Sequence, residues 1–405
     1  MPFFPPLISQ FLVCIFALLG SVVFHSSARS QTLKEIVRPG QNPIRIAVES
    51  SNSQLVSLGR QALGLHGAFD VSTANSANWV LNLSSSGNRV QYSVNAPKGG
   101  SNKSRGTASG SDLYSAFCQA MDAVVSDLSG TPGFYAGTLA FVAEPTGKPE
   151  IYLSDILFRS VKPVTDYRSN VVTPRWSPDG SRLIYTSYAQ TGYPDIVVQN
   201  LVKKTLKPVA NYRGVNLGGS FSPDGRSIAF VASSSGSPEI YTARPDGSGA
   251  RRHTWTKGLA ATPSWSPDAK KIVFVSDDWG GPQLILLDVA KKANSRIRTG
   301  LGGYNVEPDW NPVNPDLVAF TTRAGSKFQI ALYSFSEQRS VMLTGTAGSS
   351  VEPAWLSDGR HIVYTYRSKG KKQLRIIDVR TKRTSNLHSA QLANASQADF
   401  TPVLR

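Results

Sequence analysis

The sequence predicts a two-part protein, an α/β N-terminal domain followed by an all-β six-bladed β-propeller. Three observations carry this reading. An aromatic–Ser–Pro–Asp–Gly turn recurs every mid-forties residues, two strand-like apolar runs accompany each copy, and the first and last runs each supply part of one further unit.

The motif aromatics are Trp176, Phe221, Trp265, Trp310 and Trp355, at intervals of 45, 44, 45 and 45 residues, and the same step reaches Phe400. A second aromatic follows at Tyr185, Phe230, Phe274, Phe320 and Tyr364, and then a further apolar run such as "DIVVQNL" or "QLILLDV". A repeat of this length with several short strands is the signature of a propeller blade. The turn chemistry agrees. Proline presets φ, aspartate bonds back to nearby N–H groups, and glycine takes positive φ without steric cost. Ala269 in place of that glycine predicts slight strain in one copy. Before the first full unit, Thr138–Ile156 matches the second and third strands of a blade. The final "QADFTPVLR" supplies its first strand. Joining them closes the ring over 134–405 and removes exposed edges.

The preceding segment has no such period. Over 31–133, "IRIAVES", "FDVST", "NWVLNLSSS" and "RVQYSVNAP" alternate as strands, and Ser51–His66 reads as a short helix. Ser111 and Asp112 open a second helix whose Leu113, Phe117, Met121, Val124, Val125 and Leu128 form one apolar stripe ending at Gly130. Residues 1–30 read as a signal peptide. An uncharged apolar run precedes "HSSARS", and Ala28 and Ser30 fit the small-x-small cleavage rule, so the mature chain starts near Gln31. Cys14 lies inside the apolar run and is not expected to carry lipid. Cys118 then stands alone, which rules out an internal disulfide in the mature protein. The expected product is a soluble exported protein.

Motifs for catalysis are missing. The sequence has no G-x-S-x-G elbow, Walker loop, H-E-x-x-H, paired C-x-x-C or calcium loop. His66, His253, His361 and His388 have no ligand spacing. No enzyme activity, metal or cofactor is expected, and the repeated aspartates are turn formers. The formal charge of +16 is concentrated in the propeller: residues 138–405 hold 34 basic and 21 acidic groups. Nine basic groups fall within Arg360–Arg383 against Asp378 alone, either a solvated face or an attraction for an anionic polymer.

Propeller topology places one further set of residues. Those just ahead of each innermost strand lie at one mouth of the central channel: Asn170, Thr173, Asn216, Thr262, Asn305, Glu307, Ser350 and Glu352. They form a candidate partner face, although "EP" at Glu307 and Glu352 equally fits a loop-shaping role.

The order of parts, including "DAVVSDLSGTPGFYAGTLAFV", "FSPDG", "SDDWGGPQL" and "PEIY", resembles the TolB family of periplasmic Tol–Pal components over nearly the whole mature chain. The resemblance implies an anticodon-binding-like N-terminal domain and a non-catalytic, monomeric periplasmic scaffold without a nucleic-acid role. It also implies Pal docking at the channel mouth and TolA binding through the N-terminal segment, including Arg38 and Pro39, in support of outer-membrane integrity and cell division. Here that segment reads "VRPGQNPIRIAVES", where the family often has a run like "ARPIAVVPF". Two other readings are the propeller portion of a prolyl-oligopeptidase-like peptidase and a glycan- or polymer-binding propeller. The first needs a hydrolase domain, and the sequence ends within the sixth blade.

Overall fold

The computed structural model describes residues 42–97, 101–145, 147–345, 347–387, 392 and 394–402. The leader 1–30, Arg38, Pro39 and His388 lie outside the described residues. No helix among the described residues is long and apolar enough to cross a membrane.

The first part is a five-stranded sheet with two helices. In chain order it runs β1 (Ile44–Glu49), α1 (Ser53–Leu65), β2 (Phe69–Val71), β3 (Trp79–Ser86), β4 (Arg89–Asn95), β5 (Asn102–Ser109) and α2 (Leu113–Ser129). The sheet order is β2-β1-β3-β4-β5, with β1 parallel to both neighbours and the rest antiparallel. Alternate residues Leu81 and Leu83, and Val90 and Val94, are buried against the helices, as a half-covered sheet requires. Asn52 Oδ1 accepts from Gln54 N at 2.9 Å, and Asp112 Oδ1 from Ser115 N at 2.7 Å. Each cap contributes about 1 kcal/mol. Gly130 ends α2 with φ 68. Strand β5 was not among the sequence expectations. Its residues, NKSRGTAS, are mostly polar because it is an edge strand with little buried surface.

Six four-stranded antiparallel sheets follow, one per blade. The innermost strands are Val171–Trp176, Asn216–Phe221, Ala260–Trp265, Asn305–Trp310, Ser349–Trp355 and Ala395–Thr401, in blades one to six. The last pairs with Thr138–Ala143, Phe400 opposite Leu139, so blade six is assembled from distant parts of the chain. The repeated turns close with hydrogen bonds from Gly180 N to Ser177 O and from Gly225 N to Ser222 O, both 2.8 Å. Ser177 and Ser222 hydroxyls also donate to Asp179 and Asp224. Ala269 occupies the same position with φ 58, the left-handed conformation that Gly180, Gly225 and Gly359 hold in their turns. Trp176 packs with Ala140 and Ile151 of blade six, filling the space between blades.

The two parts share one core. Residues of both helices, the linker Phe134 and Tyr135, and Leu139, Leu374 and Phe400 of the propeller form a single buried cluster. The linker is held from both sides. Tyr135 N donates to Asp122 Oδ1 at 2.6 Å, and the Tyr135 hydroxyl donates to Ala62 O at 2.7 Å. Burial pushes Asp122 up to about 6, against the hydrogen bonds from Tyr135 and Ala136. Gln61 reaches Leu157 O, and Arg383 reaches Phe69 O. The N-terminal part therefore sits on the turns of blades five and six, at the end of the channel where the innermost strands finish. Cys118 is buried in this core, and burial pushes its thiol up to about 12.

Candidate interaction face at the channel mouth

Each innermost strand carries a bulge at one equivalent position. Thr173, Thr262, Glu307, Glu352 and Gln397 have φ between 48 and 57, and Gly218 has φ 62. The pairing register shifts beside each of them, the mark of an inserted residue. The bulge turns backbone N–H groups toward the neighbouring blade, where side chains receive them. Glu352 N donates to Glu307 Oε2 at 2.8 Å, Gln397 N to Glu352 Oε2 at 3.2 Å, and Thr173 N to Gln397 Oε1 at 2.9 Å. One turn deeper, Trp355 N donates to Asp309 at 2.8 Å and Trp176 N to Asp399 at 2.6 Å. Successive blades are thus joined through their channel-lining residues.

The expected partner-face residues divide into two groups. Thr173, Thr262, Glu307 and Glu352 line a cavity of about 110 Å³ within the channel, and the half-buried Asn170 lies just before the first inner strand. Asn216, Asn305 and Ser350 are fully buried. Asn216 Nδ2 donates to Tyr212 O at 2.8 Å and to Pro194 O at 3.2 Å, and Asn305 Oδ1 accepts from Thr322 at 2.9 Å. Those asparagines hold loops in place and offer no surface to a partner. Glu307 is raised above the ordinary carboxylate range by burial and then by Glu352, with Arg367 acting in the opposite sense. Arg367 pairs with Glu352, and Glu307 is the second acid of this group.

Position alone did not reveal the exposed aromatics. Tyr193, Trp255 and Trp279 are 71%, 62% and 49% exposed. All three sit in loops at the end where the inner strands begin, opposite the N-terminal part. The Trp255 and Trp279 loops are tied together, since Lys257 N and Gly258 N donate to Asp278 at 2.9 and 3.0 Å. The Arg252 guanidinium stacks over the Trp255 ring at 5.2 Å. Exposed tryptophan and tyrosine on rigid loops are the residue types that dominate protein interfaces. Their sequence signal was an aromatic in a polar loop, outside the apolar alternation of the strands.

At the opposite end His66, Asp358 and His361 bring three potential ligand atoms within 4.8 Å. Their hydrogen bonds fit a structural network better than a metal centre. His361 Nδ1 meets Asp358 Oδ2 at 2.6 Å, while His66 Nδ1 accepts from Ala68 N at 3.3 Å. The lone pair of His66 is thereby engaged on Nδ1, and Arg360 sits beside the cluster, bound to Asp378 at 2.7 Å.

Six four-stranded blades around a central channel, with three exposed aromatics on loops at one end, define a six-bladed β-propeller. Residues 125–404 match the family described as TolB beta propeller domain, and the chain belongs to that family. It is 38% identical over 72 residues to the Tol-Pal system protein TolB of Desulfotalea psychrophila, covering 18% of this chain and 16% of that protein. It is 32% identical over 174 residues to the Protein TolB homolog of Chlorobium luteolum, covering 43% of this chain and 38% of that one. The chain thus spans well under half the length of these curated relatives. The crystal structure of TolB from Acinetobacter baumannii shares the fold, with a TM-score of 0.80 and 24% identity over 90% of this chain and 97% of that one.

Proposed function

We propose that this chain is a non-catalytic scaffold of a Tol–Pal system, working in the periplasm once the leader 1–30 has been removed. Its two functional parts are 31–133 and the ring 134–405. The ring docks the lipoprotein Pal at the channel mouth, and the N-terminal segment with Arg38 and Pro39 engages TolA, in support of outer-membrane integrity and cell division. The family match over 125–404 carries this reading. The mouth supports it, because loops fixed by blade-to-blade hydrogen bonds lose little entropy on binding.

Within the mouth, Thr173, Thr262 and the aromatic crescent of Tyr193, Trp255 and Trp279 make the contact. Glu307 and Glu352 fix the bulges beneath. Calorimetry with the cognate Pal domain tests this. Trp255→Ala with Trp279→Ala should weaken binding by about 1–4 kcal/mol and leave the melting temperature unchanged. Unchanged affinity would move the contact away from this face.

A further inference from the structure

The basic residues behind the net charge of +16 divide into engaged and exposed ones once internal partners are assigned. Most of the dense run Arg360–Arg383 is engaged within the protein. Arg360 pairs with Asp378, Arg367 with Glu352 and Lys372 with Glu144. Arg375 stacks on Tyr366, and Lys382 and Arg383 donate to the carbonyls of Met342 and Phe69. That run is largely a structural seam between blades and domain.

One group of exposed basic residues recurs on blades one to three. Lys203, Lys204, Arg251, Lys270, Lys291 and Lys292 are all exposed. Among them only Lys291 meets a carboxylate within 4 Å, Asp288 at 3.9 Å. All six occupy turns, or the strand residue next to a turn, at the channel end facing away from the aromatic crescent. The N-terminal part covers that end only at blades five and six. The Asp246–Gly249 turn of blade two packs on the outer strand of blade one, where a Cβ on Gly247 would lie 2.3 Å from the Val209 oxygen. Lys292 of blade three and Arg251 of blade two both act on His253, which burial first and these charges second hold below its ordinary pKa. Nearby carboxylates are fixed within their own turns: Asp246 bonds to Ser248 and Asp268 to Ser266.

We propose that this face binds an acidic polysaccharide. The repeat sets basic residues on the same outer turn of three consecutive blades, at Lys203–Lys204, Arg251 and Lys291–Lys292. A row of cations at blade spacing matches a polymer with regularly repeated anions rather than one small ion. The choice of glycan over nucleic acid rests on the periplasmic reading above; the location of the charge does not.

Anisotropy of a labelled heparin oligosaccharide, titrated with the full chain at low and high salt, tests the proposal. The variant Lys203→Gln, Lys204→Gln, Lys291→Gln, Lys292→Gln should bind roughly tenfold or more weakly, with a shallower salt dependence. Its melting temperature should not change. The control Lys369→Gln, Lys371→Gln removes exposed lysines from the opposite mouth and should bind as wild type. Equal losses in both variants, or no wild-type binding at low salt, would overturn the face. A single-stranded DNA probe that binds as tightly as heparin would overturn the glycan. Pal affinity of the fourfold variant should be unchanged, so failure of the docking reading and failure of this one are read separately.

Discussion

Arg175 of blade one spans the channel to Asp309 of blade four: its Nη1 lies 3.5 Å from Asp309 Oδ1 and 3.1 Å from Asp399 Oδ1 of blade six. One guanidinium therefore links three blades, two of them opposite each other across the ring. Burial works against its charge, and Asp309 and Asp399 more than offset that, so its pKa stands above the ordinary value. Burial pushes Asp309 up to about 6 despite the cation.

Replacing Arg175 with leucine should leave two acids facing each other across the channel. The expected cost is about 1–3 kcal/mol above neutral pH, less than for a fully buried pair because water reaches the site. Asp309 has a folded pKa above its unfolded value, so it binds its proton more tightly when folded and ionises at a cost as pH rises through about 6. The loss in Arg175→Leu should accordingly shrink in mildly acid buffer. Urea titrations on either side of that pKa would decide, and an equal loss in both would contradict the bridging role.

Ala269 carries positive φ where three equivalent turns have Gly180, Gly225 and Gly359. Ala269→Gly relieves the left-handed strain of about 1–2 kcal/mol and adds unfolded-state freedom of about 0.5–1 kcal/mol. The net expectation is a gain of about 0.5–1 kcal/mol, readable as a small rise in melting temperature. A drop would mean that the alanine methyl makes a contact worth more than the strain.

His66 is held well below its ordinary pKa by burial, then by His361, Arg360 and Arg380. It stacks on Phe134 and meets Phe69 and His361 edge-on, while Asp358 and Asp378 hold His361 and Arg360 beside it. The unfolded chain takes up this proton below the ordinary value and the folded chain does not, so stability falls as pH drops beneath about 6.5. Asp122 and Asp309 have the opposite sign, so the informative quantity is a difference between proteins. His66→Phe keeps an aromatic ring on Phe134 and should gain on wild type by up to about 1.4 kcal/mol per pH unit below that value. A pH-independent difference would remove His66 as the acid-sensitive group.

The legible parts of the fold were those whose chemistry repeats. Serine, proline, aspartate and glycine each have a separate reason to occupy the turn, so five imperfect copies still fixed the blade period and the split sixth blade. The channel bulge repeats as strictly in space, yet threonine, glycine, glutamate and glutamine all fill it. Its signature is a backbone angle and a neighbour's N–H, neither of which composition encodes. That is why Asn216, Asn305 and Ser350 stood beside Thr173 and Glu352 in the sequence reading and separated from them in space. The Arg360–Arg383 run misled for a related reason. A charge count over that run cannot see Glu352 and Glu144 arriving from outside it. Edge strand β5 lacked the alternation that marked its neighbours, because too little of it is buried to require one.

The sixth blade also imposes an order in time. Its inner strand, Ala395–Thr401, is synthesised after every segment it touches, including Leu139 opposite Phe400 and Gly137 packed beneath that ring. While a ribosome still holds those residues, blade one lacks the Asp399 and Gln397 acceptors for Trp176 and Thr173. A nascent chain can form its early hairpins but cannot seal the ring, which leaves the polypeptide open until its last strand leaves the ribosome.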